Sequence, residues 1–270
     1  MGTRIAGTAG DVFITSQLVE NCEDDWAVTG DATATSAAVS TVAKVGSHSV
    51  KIVCGAGVND GDLLAHEIVT SMDLTDYTNL MYWAKCSVAI GTAGDLQIGV
   101  SETASMGGTP VWADIPVLGE DTWKYCSSAI TTTGLNAVVS VGAKLTANDP
   151  GAFDLYLDDI RAAKEIAGIK SWTLDQSAEV ADVTGFDSSG HREFTATIKS
   201  WSGSFEGYKD GAPLTIGSLV GLELRESQTA TQQFRGNAYI TGLHGGTSVD
   251  GIVTYSYDFQ GTDALEIATA

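Results

Sequence analysis

Residues Ile166–Asp210 read Ile-Ala-Gly-Ile-Lys-Ser-Trp-Thr-Leu-Asp-Gln-Ser-Ala-Glu-Val-Ala-Asp-Val-Thr, then Gly-Phe-Asp-Ser-Ser-Gly-His-Arg-Glu-Phe, then Thr-Ala-Thr-Ile-Lys-Ser-Trp-Ser-Gly-Ser-Phe-Glu-Gly-Tyr-Lys-Asp. The word Ile-Lys-Ser-Trp occurs twice, at Ile169–Trp172 and Ile198–Trp201, each time inside an apolar/polar alternation of period two. A polar, turn-rich segment separates the two copies. The pattern predicts two matching strands, with Trp172 and Trp201 on equivalent faces of one sheet as core or cross-strand packing residues.

Downstream, Gly221–Glu226, Gly236–Leu243 and Gly251–Phe259 alternate in the same way. In the last of these Val253, Tyr255, Tyr257 and Phe259 share one face, expected to pack inward. The intervening Gly211–Val220 contains glycines and a proline that weaken any helix. Upstream, Arg4–Thr15 is a Gly-rich lead into a short strand. Between them, Ser49–Cys54, Leu80–Cys86, Asp95–Ser101, Thr122–Cys126, Ala137–Leu145 and Phe153–Ile160 read as strands bounded by Gly, Asn, Asp and Thr clusters. No stretch holds a helical period over three turns. The chain is therefore expected to be all-β, with the middle region a two-sheet sandwich or jelly roll.

The quoted stretch resembles the major tail tube proteins of long, non-contractile-tailed bacteriophages. The likeness is carried by Ile169–Trp172, Ala178–Thr184, Arg192-Glu193-Phe194, Lys199–Gly207, Gly236–Thr241 and Val253–Thr262, in that order. Trp172, Arg192, Phe194, Trp201, Phe205, Tyr239 and Phe259 are the residues that match most directly. In such proteins a segment like Arg4–Thr15 sits a few residues before the Ile-Lys-Ser-Trp strand, whereas here about 150 residues intervene. The resemblance thus implies a discontinuous tube domain, residues 1–16 and 164–270, interrupted by an inserted domain, 17–163. A tandem of two domains is the rival arrangement. Insertions of this size succeed at exposed hairpin tips. The family also places a helix after the position of Asp210, and the sequence departs from it there.

The resemblance implies a virion structural protein: a self-associating subunit in stacked, hexameric rings around a DNA channel. The implied partners are other phage tail proteins and viral DNA that passes without specific binding. The implied location is the phage tail of the virion, after assembly in the host bacterial cytoplasm. Composition agrees on one point. The net charge is −20, from 34 acids against 14 bases, and nucleic-acid binding relies on the reverse balance. An acidic channel wall would let DNA slide. No window approaches a membrane span, the start lacks the apolar core of a signal peptide, and no Asn-x-Ser/Thr acceptor occurs.

The insert differs from the remainder in composition. Residues 17–163 carry 19 acids and 6 bases, and hold all four cysteines, Cys22, Cys54, Cys86 and Cys126. The cysteine intervals of 32, 32 and 40 residues match no zinc pattern. Two disulfides are open to an even count, but buried free thiols at strand ends are the expected state. The frame Asn21–Trp26, Gly46–Ile52 and Phe153–Ile160 resembles carbohydrate-binding-module jelly rolls. That resemblance implies a structural calcium, at Glu20 or Glu23 and Asp159, since a hard cation takes clustered oxygens. It also implies glycan recognition on exposed aromatics, for which Trp26, Tyr77 and Trp112 are the candidates. Trp83 and Trp123 lie inside strand patterns and are expected in the core.

Catalysis finds little support. His48, His66, His191 and His244 are scattered, and neither His-Glu-x-x-His nor Gly-x-Ser-x-Gly occurs. Gly55–Gly61 lacks the lysine and helix of a phosphate loop. Asp24-Asp25 and Asp158-Asp159 are strand or turn neighbours expected to point to opposite faces, which does not build a glycosidase pair. The chain is expected not to be an enzyme and to need no cofactor beyond the calcium considered above. A carbohydrate-binding or decoration protein of the virion surface is the alternative reading, and a glycoside-processing enzyme ranks last.

Overall fold

The computed structural model describes residues 12–28, 34–39, 42–131, 133–185, 189, 191–209, 213–226, 232–247 and 251–269. Arg4–Asp11, part of the turn between the two Ile-Lys-Ser-Trp strands, and Gly211-Ala212 lie outside them. Among the described residues sixteen strands run in chain order: β1 Val12–Glu20, β2 Ala27–Val28, β3 Ala34–Val39, β4 Ser49–Cys54, β5 Leu63–Met72, β6 Asn79–Cys86, β7 Leu96–Ser101 and β8 Val111–Asp114, followed by β9 Lys124–Ala129, β10 Val138–Leu145, β11 Phe153–Glu165, β12 Ile169–Asp182, β13 Phe194–Tyr208, β14 Leu219–Arg225, β15 Gln232–Gly246 and β16 Thr254–Thr269. Among the described residues the one helical element is a 3-10 turn, Ala104–Met106. The protein is all-β.

Two compact units divide the chain, Met1–Ile14 with Ile166–Ala270 and Thr15–Glu165. The boundaries fall at Ile14/Thr15 and Glu165/Ile166, and β1 runs across the first of them.

The discontinuous unit is an antiparallel sheet in the order β12-β13-β16-β15-β14-β1. Alternation sends Trp201, Phe205, Leu222, Leu224, Ala238, Ile240, Tyr257 and Phe259 to one buried cluster with Val12 and Ile14. The sheet curls around this cluster. Trp172 on β12 donates its indole N–H to the carbonyl of Arg225 on β14 at 3.2 Å and meets Phe234 of β15 edge-on, with ring centroids 6.0 Å apart. Trp172 and Trp201 share the core face, as the repeated word implies. Tyr255 packs against the cluster as expected, but Val253 precedes β16 and is exposed. Leu214, in the segment whose glycines and proline weaken a helix, packs against the cluster, and its N–H donates to the Tyr257 hydroxyl at 3.4 Å.

The second unit is a sandwich. One antiparallel sheet runs β3-β4-β11-β6-β9 and the other β2-β5-β10-β7-β8. Val50, Ile52, Tyr82, Leu155 and Leu157 from the first sheet and Leu64, Ile98, Val100, Val141 and Ala143 from the second make one core. Such alternate inward-facing residues are what close two pleated faces on each other. β2, β3, β5 and β8 are not among the strands expected from sequence. The four cysteines are buried and free, and burial pushes the Cys54 thiol up to about 12.

Candidate functional sites

In the discontinuous unit the two hairpins part company. β13 pairs with β16 only from Ser202 opposite Gln260 to Tyr208 opposite Thr254. Beyond Ser202, β13 continues with β12 alone, out to Phe194 opposite Asp182. β16 continues with β15 alone, out to Thr269 opposite Gln232. Among the described residues, the β13 edge from Phe194 and the β16 edge beyond Gly261 have no partner strand. The far half of β12–β13 is also bare on both faces: Val180 is 64% exposed, Ile198 67% and Phe194 56%, and across the fork Ile267 is 51% exposed. Unpaired edges with exposed β-branched and aromatic residues are a template for pairing with another strand.

On the face opposite the core, Thr173 and Ser204 hydroxyls meet at 3.0 Å, and Ser177 and Ser200 at 2.9 Å. Asp175 opposite Ser202 and Glu206 opposite Ser256 belong to the same face by register. The residues matched to the tail tube pattern divide accordingly. Trp201, Phe205 and Phe259 are core and Trp172 packs on it, whereas Arg192, Phe194 and Tyr239 are exposed.

One charged group escaped the sequence reading. Glu223 is fully buried, ion-paired to Arg225 on its own strand and to Arg235 on β15, whose Nε is 2.8 Å away. Arg225 also stacks over Phe13, 4.1 Å from the ring centroid. The spacing Glu223-x-Arg225 puts both on one face of a strand, a signal that was available but needs Arg235 from the next strand to be recognised.

In the sandwich the three aromatics expected to bind glycan do not come together. Trp26 is corrected: it is 3% exposed and belongs to the core, because the turn after β1 folds it under the sheets. Tyr77 packs partly buried against the same core. Trp112 is half-buried. Its indole lies against the backbone at Gly99, with Lys144 Nζ 4.6 Å from the ring centroid and Gln97 donating to Asp114 at 2.6 Å alongside. Trp83 is buried in a small outer cluster with Met81 and Tyr125, and Trp123 packs against it.

The acids expected to hold calcium are engaged otherwise. Glu23 Oε1 accepts the backbone N–H of Ser47 at 2.7 Å and of His48 at 3.2 Å, and Oε2 lies 3.1 Å from His48 Nδ1. These amides hold its carboxyl below the usual range. Asp159 accepts from Arg161 Nε at 2.8 Å, and Glu20 accepts the Cys22 N–H at 3.0 Å. Asp158 and Asp159 are both buried, contrary to the simple alternation, because the β11–β6 register slips between Asp158 and Arg161 and Asp159 adopts φ 48°. Asp158 Oδ2 accepts from the Lys44 and Val45 amides at 2.6 and 3.0 Å, while Oδ1 has no partner among the described residues. Burial pushes Asp158 up to about 6. Among the described residues no group of three His, Cys, Asp or Glu side chains is disposed to hold a metal ion, and no helix is long and apolar enough to cross a membrane.

No protein-family model and no curated protein matches the chain. Solved structures similar to it include the tail of an empty GTA particle of C6 symmetry, at 21% identity, TM-score 0.34, covering 40% of this chain and 87% of that one. A candidate sugar binding protein from Bacteroides thetaiotaomicron is similar at 9% identity and TM-score 0.35, over 56% of this chain and 95% of that one. The N-terminal CBM22 tandem domain of Paenibacillus barcinonensis Xyn10C is similar at 13% identity and TM-score 0.36, over 99% and 87%. The fold of this chain rests on its own strand pairing.

Proposed function

We propose that the protein is a virion structural protein, a tail tube subunit that self-associates into stacked rings around a DNA-conducting channel, with Thr15–Glu165 as a decoration domain. The observation that carries this reading is the fork between β12–β13 and β15–β16. A lone two-stranded ribbon with both faces bare is marginal in water, and a neighbouring copy would supply the missing strand and cover Val180, Phe194, Ile198 and Ile267. Ring closure removes sheet edges altogether. The motif order of Ile169–Thr262 supports the same reading. So does the hydroxyl and carboxylate face bearing Thr173, Asp175, Ser204 and Glu206, whose acids would repel a phosphate backbone. The role is passive and needs neither reaction nor cofactor.

Electron microscopy of the purified full chain over a range of concentrations tests this. Rings or hollow tubes are expected, lost in an Ile198→Asp variant whose unfolding midpoint is unchanged. Monodisperse monomers at every concentration would refute it.

A second reading is favoured by one observation only. Trp112, laid across Gly99 with Lys144 Nζ over its ring and Gln97 and Asp114 alongside, combines the aromatic and polar groups that a sugar site uses. Binding to a glycan array that disappears with Trp112→Ala would support a carbohydrate-binding role for the sandwich; silence across the array would remove it.

A further inference from the structure

A carbohydrate-binding-module-like sandwich implies a structural calcium at Glu23 and Asp159, and the residues present do not fit one. The reason lies in the loop between β3 and β4. Four of its backbone amides point at carboxylates from two other elements: Ser47 and His48 at Glu23, and Lys44 and Val45 at Asp158. A cation needs oxygens turned towards it, whereas a concavity of peptide N–H groups holds anions. The close approach depends on Gly46, which has φ 71° and whose missing Cβ leaves the space that Glu23 Oε1 occupies. His48 Nδ1 reaches the second oxygen of Glu23, and the Arg161 guanidinium takes Asp159 two residues along the same strand. Glu20 is turned back onto the Cys22 amide.

We infer that the loop Lys44–His48, together with Arg161, takes the place of the cation: it clamps Glu23 and Asp158 directly, so that the sandwich holds its shape without calcium or any other divalent ion. Local backbone dipoles do here what a metal would otherwise do, tying the β1–β2 turn, the β3–β4 loop and β11 to one another.

The test is thermal unfolding of the full chain in excess calcium chloride and in excess chelator, with a calorimetric calcium titration beside it. Coincident midpoints and no saturable heat are expected. A midpoint raised by calcium, or one calcium bound per chain, would overturn the inference. Glu23→Gln keeps the shape and removes the charge that the amides and His48 receive. It is expected to lower the midpoint equally in both conditions; a loss seen only in the presence of calcium would again overturn it.

Discussion

Trp201 donates its indole N–H to the carbonyl of Asp263 at 3.0 Å, and to reach it the ring lies across Gly261. A Cβ at Gly261 would enter the indole itself. Packing and hydrogen bond therefore require both residues at once. Gly261→Ala is expected to destabilise the discontinuous unit by about 1–3 kcal/mol, the usual cost of overpacking a filled site. Urea unfolding of the purified variant measures it, and an unchanged midpoint would show that Trp201 has another place to go.

Glu223 lies fully buried between Arg225 and Arg235. Removing one partner of such a set leaves the rest desolvated and unpaired. Glu223→Ala should cost about 3–5 kcal/mol. Replacing Glu223 and Arg235 together by apolar residues should cost markedly less than the single change, a non-additivity that a double-mutant cycle would reveal.

Phe194 and Ile198 protrude from the far half of the β12–β13 ribbon, which contributes no residue to the buried cluster. Phe194→Asp should therefore shift the unfolding free energy by no more than about 0.5 kcal/mol, as for other surface positions. Its expected effect is on association, read by sedimentation velocity: large species with the native residue, monomers with aspartate.

Asp158 gives a pH dependence of definite sign. The folded chain keeps this proton up to about pH 6, the unfolded chain only to about 4. The folded state therefore gains stability as pH falls from about 6 to about 4 and loses that gain as pH rises through 6. Two pKa units correspond to roughly 3 kcal/mol at most. Asp158→Asn keeps an acceptor for the Lys44 and Val45 amides without the charge. Its melting temperature should exceed the wild type's at pH 8 and converge with it near pH 4. Equal differences at both pH values would contradict this assignment.

Much of the fold was legible in the chain. Ser49–Cys54 is a strand with the very bounds expected, and Leu80–Cys86, Asp95–Ser101 and Ala137–Leu145 are each displaced by one residue. Period two is a local property, and it survives whatever the strand packs against. β5 was missed because its burial does not alternate: Leu64, Ala65 and His66 are buried in succession while Ile68 is exposed. The sites were less legible. Trp26 looked like an exposed aromatic in an acidic turn, and only the closure of the two sheets shows that it is core.

The sequence by itself determined the all-β class, the matched Ile-Lys-Ser-Trp strands and the break in composition between 17–163 and the rest, since propensity, alternation and charge are written residue by residue. Tertiary structure alone decided which carboxylates are buried, which amides meet Glu23, and where β13 leaves β16. Those depend on register and on the approach of segments far apart in the chain: Asp158 lies 114 residues from Lys44, and Trp201 62 from Asp263. A local pattern carries no record of such distances.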